Sequence, residues 1–138
     1  MPDSDADVVR EQFEAVNSRD FARAMSLYDE EVVLVVRSDA FLEAGTFEGR
    51  RVVGEYFGNW FATFEPGYRF DIHEARVLDG GRIYLDATHR GRGRISGVDV
   101  AGRTGYLYTV RDGKITRAEL FATPADALRE GESGPSPD

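Results

Sequence analysis

Apolar residues recur at helical spacing near the start of the chain, with Val9, Phe13 and Val16 on one face of a segment that runs to about Asn17. Ser4 followed by Asp7 is an acidic variant of the capping box, so a first amphipathic helix is predicted there. Asn17-Ser18-Arg19-Asp20 is turn-rich, and Asp20 is a candidate N-cap. Phe21, Ala24, Met25 and Tyr28 then line a second, short helix folded against the first. Val32 to Val36 is an unbroken apolar run rich in β-branched residues, as expected of a buried strand. After a loop around Gly45, a third helix is predicted from about Arg50 to Phe64, ended by Pro66-Gly67. Val53, Phe57, Trp60, Phe61 and Phe64 form its apolar face; Gly54 and Gly58, four apart, suggest close packing against it.

From Tyr68 the period shortens to two. Strands are predicted near 68–78, 82–91, 103–111 and 114–122, with turns at Asp79-Gly80-Gly81 and Asp112-Gly113. Gly91, Gly93 and Gly97 point to a long, twisted connection carrying a bulge between the second and third of these strands. Helices first and an antiparallel run of strands afterwards define an α+β domain: three N-terminal helices on a strongly curved antiparallel or mixed sheet that encloses a pocket. Residues 1–5 are expected to be a flexible N-terminus, 6–130 a single domain, and 131–138 a disordered tail.

Composition narrows the functions. With 138 residues, one domain is expected. Seventeen Lys and Arg against 25 Asp and Glu give a net charge of −8, a field that disfavours a nucleic-acid partner. No cysteine is present, so there is no disulfide framework and no thiolate chemistry. No apolar run approaches the ~20 residues of a membrane helix, and MPDSDAD does not read as a secretion signal, so a cytoplasmic location is expected. Asp71, His73 and Glu74 are too contiguous to face one way on a strand, so no metal site is expected.

The order of elements carries a resemblance, together with Phe13-Glu14-Ala15-Val16-Asn17-Ser18-Arg19-Asp20-Phe21, Tyr28-Asp29-Glu30-Glu31-Val32, Phe47-Glu48-Gly49-Arg50, Thr88-His89-Arg90-Gly91-Arg92-Gly93 and Val110-Arg111-Asp112-Gly113-Lys114-Ile115. From about Ala6 to Leu128 the chain resembles the nuclear transport factor 2 (NTF2)-like superfamily, and within it the SnoaL-like branch. The resemblance implies an NTF2-like cone. It also implies a choice among isomerases, cyclases, dehydratases, epoxide hydrolases and non-catalytic binding or assembly domains. The tyrosine and aspartate of the ketosteroid-isomerase-like members fall at about Gln12 and Val36, and their buried carboxylic acid falls near Tyr106. The histidine of the SnoaL-type cyclases matches His89, while the strand Arg103 to Val110 offers no carboxylate to pair with it. The Asp-Arg-Asp arrangement of the epoxide hydrolases finds no place on one face of these strands.

Read without the family, Ile83, Leu85, Ala87 and His89 share the inward face of their strand. On the last hairpin both faces are partly apolar, so the residues alone leave the inward face open; the family register implies that Tyr106, Tyr108, Arg117, Glu119 and Phe121 are concave and Leu107, Thr109, Thr116, Ala118 and Leu120 convex, the apolar part of that second set offering a homodimer surface. The expected catalytic set is His89 as acid or base, Tyr106 as donor and Glu119 as orienting partner. The ligand-binding set is Gln12, Phe57, Trp60, Phe61, Leu85, Tyr108, Arg117 and Phe121, with no cofactor. Each has a structural alternative: a hydrogen-bonding histidine at a strand end, tyrosines reaching water, an Arg117–Glu119 ion pair, an aromatic core. Arg90, Arg92, Arg94 and Arg103 form a basic patch that either binds an anion or protects a sheet edge as solvated charge. Two functions stay open: a cofactor-free isomerase, cyclase or dehydratase of a hydrophobic substrate, or a non-catalytic ligand-binding or dimeric assembly module.

Overall fold

The computed structural model describes residues 4–38 and 43–132. The elements run α1 (Asp5–Asn17), α2 (Phe21–Ser26), β1 (Tyr28–Val36), β2 (Gly45–Glu48), α3 (Arg50–Ala62), β3 (Arg69–Val77), β4 (Ile83–Arg92), β5 (Asp99–Arg111), β6 (Lys114–Phe121) and α4 (Pro124–Glu132). The six strands form one open sheet in the order β2-β1-β6-β5-β4-β3. Only β1 and β6 are parallel; every other neighbouring pair is antiparallel. An α+β architecture with helices on a mixed sheet is what the sequence pattern implied.

Local signals placed the helix starts. Ser4 Oγ accepts from the Asp7 amide, and Asp20 Oδ1 accepts from the Arg23 amide, so both caps form. Val8, Val9, Phe13, Ala15 and Val16 bury one stripe of α1 against the concave face of the sheet. Ser18 N–H to Glu14 O, Arg19 N–H to Val16 O and Asp20 N–H to Ala15 O close α1 in a Schellman arrangement, with Arg19 left-handed at φ 64°. Asp112 and Gly113, at φ 53° and 77°, make the tight turn of the β5–β6 hairpin.

Five expectations need correction. Tyr28 opens β1 rather than closing α2, because the helix stops at Ser26. β2, four residues too short to show a pattern, pairs with β1 where a loop was expected. The β4–β5 ladder is unbroken from Ile83–Tyr108 to Arg92–Asp99 and carries no bulge. Its glycines make room for aromatic neighbours: a Cβ on Gly91 would lie 2.6 Å from Tyr68 Cδ1, and one on Gly102 2.7 Å from His89 Nε2. Gly54 and Gly58 receive no tightly packed neighbour, the nearest atom to a Cβ on Gly54 being Met25 Cε at 3.5 Å and none lying within 4 Å at Gly58. Finally, α4 follows β6 where no element was expected, and Gly131 lies buried within it; residues 133–138 of the expected tail fall outside the described residues.

The register of β6 has the largest consequence. Val110 pairs with Ile115, but Thr109 pairs with Arg117, so Thr116 is an extra residue and the side-chain alternation flips there. Ala118 and Leu120 therefore join Tyr108 and Tyr106 on the concave side, in the main core. Arg117, Glu119 and Phe121 lie on the convex side with Leu107. There α4 covers a second cluster of Leu78, Tyr84, Leu107, Phe121 and Ala127. The apolar set read as a homodimer surface is thus spent inside the chain. No helix among the described residues is long and apolar enough to cross a membrane.

Candidate functional site

Between α1–α3 and the concave sheet face lies a cavity of about 430 Å³, within the range of small-molecule sites. Phe13 and Val16 come from α1, Met25 from α2, Phe57, Trp60 and Phe61 from α3, Phe70 from β3, and Tyr106 and Tyr108 from β5. Gly54 and Gly58 also line it, and the side chains they lack leave part of its volume open. Of the sequence-predicted binding residues, Gln12, Phe57, Trp60, Phe61 and Tyr108 are brought together here, as is Tyr106 from the catalytic set. Leu85 is fully buried in the core and is not in the wall.

The buried phenols Tyr28, Tyr106 and Tyr108 line the space, and Tyr68 is buried beside His89. Desolvation raises the pKa of Tyr28, Tyr68, Tyr106 and Tyr108 alike, so all four stay protonated and act as hydrogen-bonding groups rather than bases. The Tyr106 hydroxyl shares a 2.7 Å hydrogen bond with Thr104 Oγ1. Tyr28 and Gln12 differ: both residues line the cavity, yet Tyr28 OH and Gln12 Oε1 are buried with no hydrogen-bond partner among the described residues.

His89 sits apart. It is 9% exposed and does not line the cavity, whereas Trp60, whose ring is 6.1 Å from its own, and Phe70, its partner across the ladder, do. Trp60 Nε1–H donates to Tyr68 OH at 2.9 Å, and Tyr68 OH meets His89 Nδ1 at 3.0 Å. With the Tyr68 oxygen accepting from Trp60, its own proton is available to His89 Nδ1, which places the proton of the neutral imidazole on Nε2, over Gly102. Burial lowers the His89 pKa, in keeping with that neutral ring. Below a pH of about 6.5 the unfolded chain binds a proton that folded His89 refuses. Its contribution to stability is therefore complete above that pH and declines as pH falls towards the lower folded-state value. An NMR titration of the His89 ring protons is expected to give a midpoint below 6.5; a midpoint at or above it would contradict the burial.

The orienting partner expected for His89 is absent from its surroundings. Glu119 lies on the convex side, 1% exposed, within 2.6 Å of Arg37, 3.4 Å of Arg117 and 3.5 Å of Arg82. The Arg117–Glu119 ion pair, the structural alternative to those roles, does form, as part of a structural hub. Phe121 packs beneath α4. The register flip at Thr116 accounts for all three displacements.

Several wall residues escaped sequence reasoning. Helical spacing points Tyr28 to α2 although it opens β1, and Phe70 has no sequence signal beyond its place in a strand. Arg19 and Arg94 stand at the cavity edge with Glu65. Arg19 Nη2 donates to the carbonyls of Pro66 and Tyr68, and Arg94 donates to those of Ala62 and Phe64. The sequence signal for the first of these is limited to an arginine within the turn-rich Asn17-Ser18-Arg19-Asp20.

A family model described as a SnoaL-like domain matches residues 9–118. No curated protein matches the chain. Among solved structures, Bal32a from a soil-derived mobile gene cassette is 18% identical, covering 91% of this chain and 94% of that one at a TM-score of 0.76. TerC, co-crystallised with polyporic acid, is 20% identical over 90% and 94% at 0.71. RV0760c from Mycobacterium tuberculosis, in complex with estradiol-17beta-hemisuccinate, is 17% identical over 82% and 88% at 0.69. These structures share the fold, and the family match spans most of the described chain. The chain belongs to the SnoaL-like domain family, within the NTF2-like fold.

Proposed function

We propose that this protein binds a hydrophobic, ring-bearing small molecule between α3 and the concave sheet face, with a ligand hydroxyl that donates to Gln12 Oε1 or bonds to the Tyr28 hydroxyl. The observation that carries the reading is the pair of partnerless polar atoms on residues of a mostly apolar wall. A buried polar group without a partner costs about 1–3 kcal/mol, so natural interiors rarely keep one. Turning either group onto a ligand breaks no existing hydrogen bond. Binding rather than His89-based catalysis is favoured because the imidazole does not line the cavity and burial keeps the Tyr28, Tyr106 and Tyr108 phenols of the wall protonated.

Trp60 is the chain's single tryptophan and lines the cavity, so its emission reports occupancy directly. Estradiol and polyporic acid, chosen after the ligands held by two structural relatives, are the first probes. Saturable changes in Trp60 emission with at least one of them are expected; an unchanged spectrum with both at their solubility limits would overturn the reading. Tyr28→Phe separates binding from structure. Removing a hydroxyl that bonds to nothing is expected to leave the ligand-free protein as stable as before, or about 1 kcal/mol more stable, while weakening ligand binding several-fold. A clear loss of stability in the ligand-free protein would mean that the hydroxyl already has a partner.

A further inference from the structure

We propose that the ligand is an amphipathic acid, its rings in the cavity and its anionic end held at the cavity edge by Arg19 and Arg94. This inference rests on the ring-binding reading above and adds the charge of the ligand. The two arginines approach one segment from different elements: Arg19 from the turn after α1, Arg94 from the β4–β5 connection. Neither forms an ion pair among the described residues, although Arg90, Arg92 and Arg103 on the same hairpin pair with Asp71, Asp99 and Asp86. A guanidinium carries five N–H donors. The recorded bonds use only Nη2 of Arg19, and Nε and Nη2 of Arg94, leaving Nη1 of each for a further acceptor.

Two more observations point the same way. Arg19 holds a left-handed backbone at φ 64° where glycine would relieve the strain, and such strain is retained where the side chain has a task. The chain as a whole carries −8, so two cations without carboxylate partners on one cavity edge stand against the general field. Glu65, which also lines the cavity, opposes an anion and sets a limit on its affinity.

Estradiol-17beta-hemisuccinate and its methyl ester form a matched pair that differs by one charge. With Trp60 emission as readout at low salt, the acid is expected to bind about tenfold more tightly than the ester, an advantage that shrinks as salt is added. Arg19→Gln and Arg94→Gln are each expected to weaken the acid about five- to tenfold and to leave the ester within about twofold. Glu65→Gln is expected to strengthen the acid alone. Equal affinity of acid and ester, or variants that weaken both together, would overturn the charge assignment and leave the ring-binding reading standing, with the arginines acting only as clamps on residues 62–68. Failure of both ligands to bind would overturn the two readings together.

Discussion

Glu119→Ala is expected to lower the unfolding free energy by about 3–5 kcal/mol, because it breaks a buried ion-pair hub from the side of the carboxylate that three arginines share. The carboxylate is 1% exposed and lies 2.6–3.5 Å from three guanidiniums. Side chains of Arg37 and Arg117, 38% and 21% exposed, can turn towards water when the carboxylate is gone. Arg82 cannot. Its side chain is 4% exposed, and it also donates to the carbonyls of Glu130 and Gly131 at the end of α4. The variant thus leaves a charge in a dry site with partial compensation, the costliest outcome for such a pair. Urea unfolding should show a lower midpoint with an unchanged slope, and the double variant Glu119→Leu, Arg82→Met should recover much of the loss. A loss under about 1 kcal/mol would place the hub among the weak surface pairs instead. Ring-ligand affinity per folded molecule should not change, since Glu119 faces away from the cavity; a matched fall in affinity would return it to the site.

The elements that were legible in the sequence are those whose cause is local. Ser4 and Asp20 cap the helix that immediately follows each of them, and Asp112-Gly113 closes a hairpin within four residues. Alternation, by contrast, can be read only while the register holds. Ile115 and Arg117 stand two apart and face opposite sides, because the partner strand skips Thr116. No propensity of Ile, Thr or Arg announces that skip, and it moved Arg117, Glu119 and Phe121 out of the predicted site together. The wall aromatics of α3 survived the test because a helical stripe faces the core whatever the sheet register. His89 faces inward as predicted, but its isolation depends on Tyr68, 21 residues away in sequence, reaching its Nδ1. α4 was a different kind of miss, since its signal was present. Thr123 Oγ1 accepts from the Asp126 amide, and Pro124 takes the first helical position, a cap-and-proline start in four residues.

Gly105→Val tests whether that helix holds the convex side together. By strand propensity alone the change should help, since valine exceeds glycine by up to about 1 kcal/mol in a sheet. The packing reverses the sign. A Cβ at Gly105 would stand 2.7 Å from Pro124 Cα, 2.7 Å from the Thr123 carbonyl oxygen and 2.8 Å from Ala127 Cβ. Two of these are backbone atoms, which no rotamer change can move, so α4 must lift. Tyr84, Leu107 and Phe121, at most 5% exposed beneath it, would meet water at roughly 1.5–3 kcal/mol for each side chain fully uncovered. A loss of about 3 kcal/mol is expected, with hydrogen-exchange protection falling first at the α4 amides while the β4–β5 ladder and the cavity stay closed. Protected α4 amides and a stability within about 1 kcal/mol of the parent would mean that the helix yields without undocking. Lifting α4 also withdraws the carbonyls of Glu130 and Gly131 from Arg82. The Gly105 and Glu119 variants therefore damage one connected structure, and their combined effect should fall short of the sum of the two measured alone.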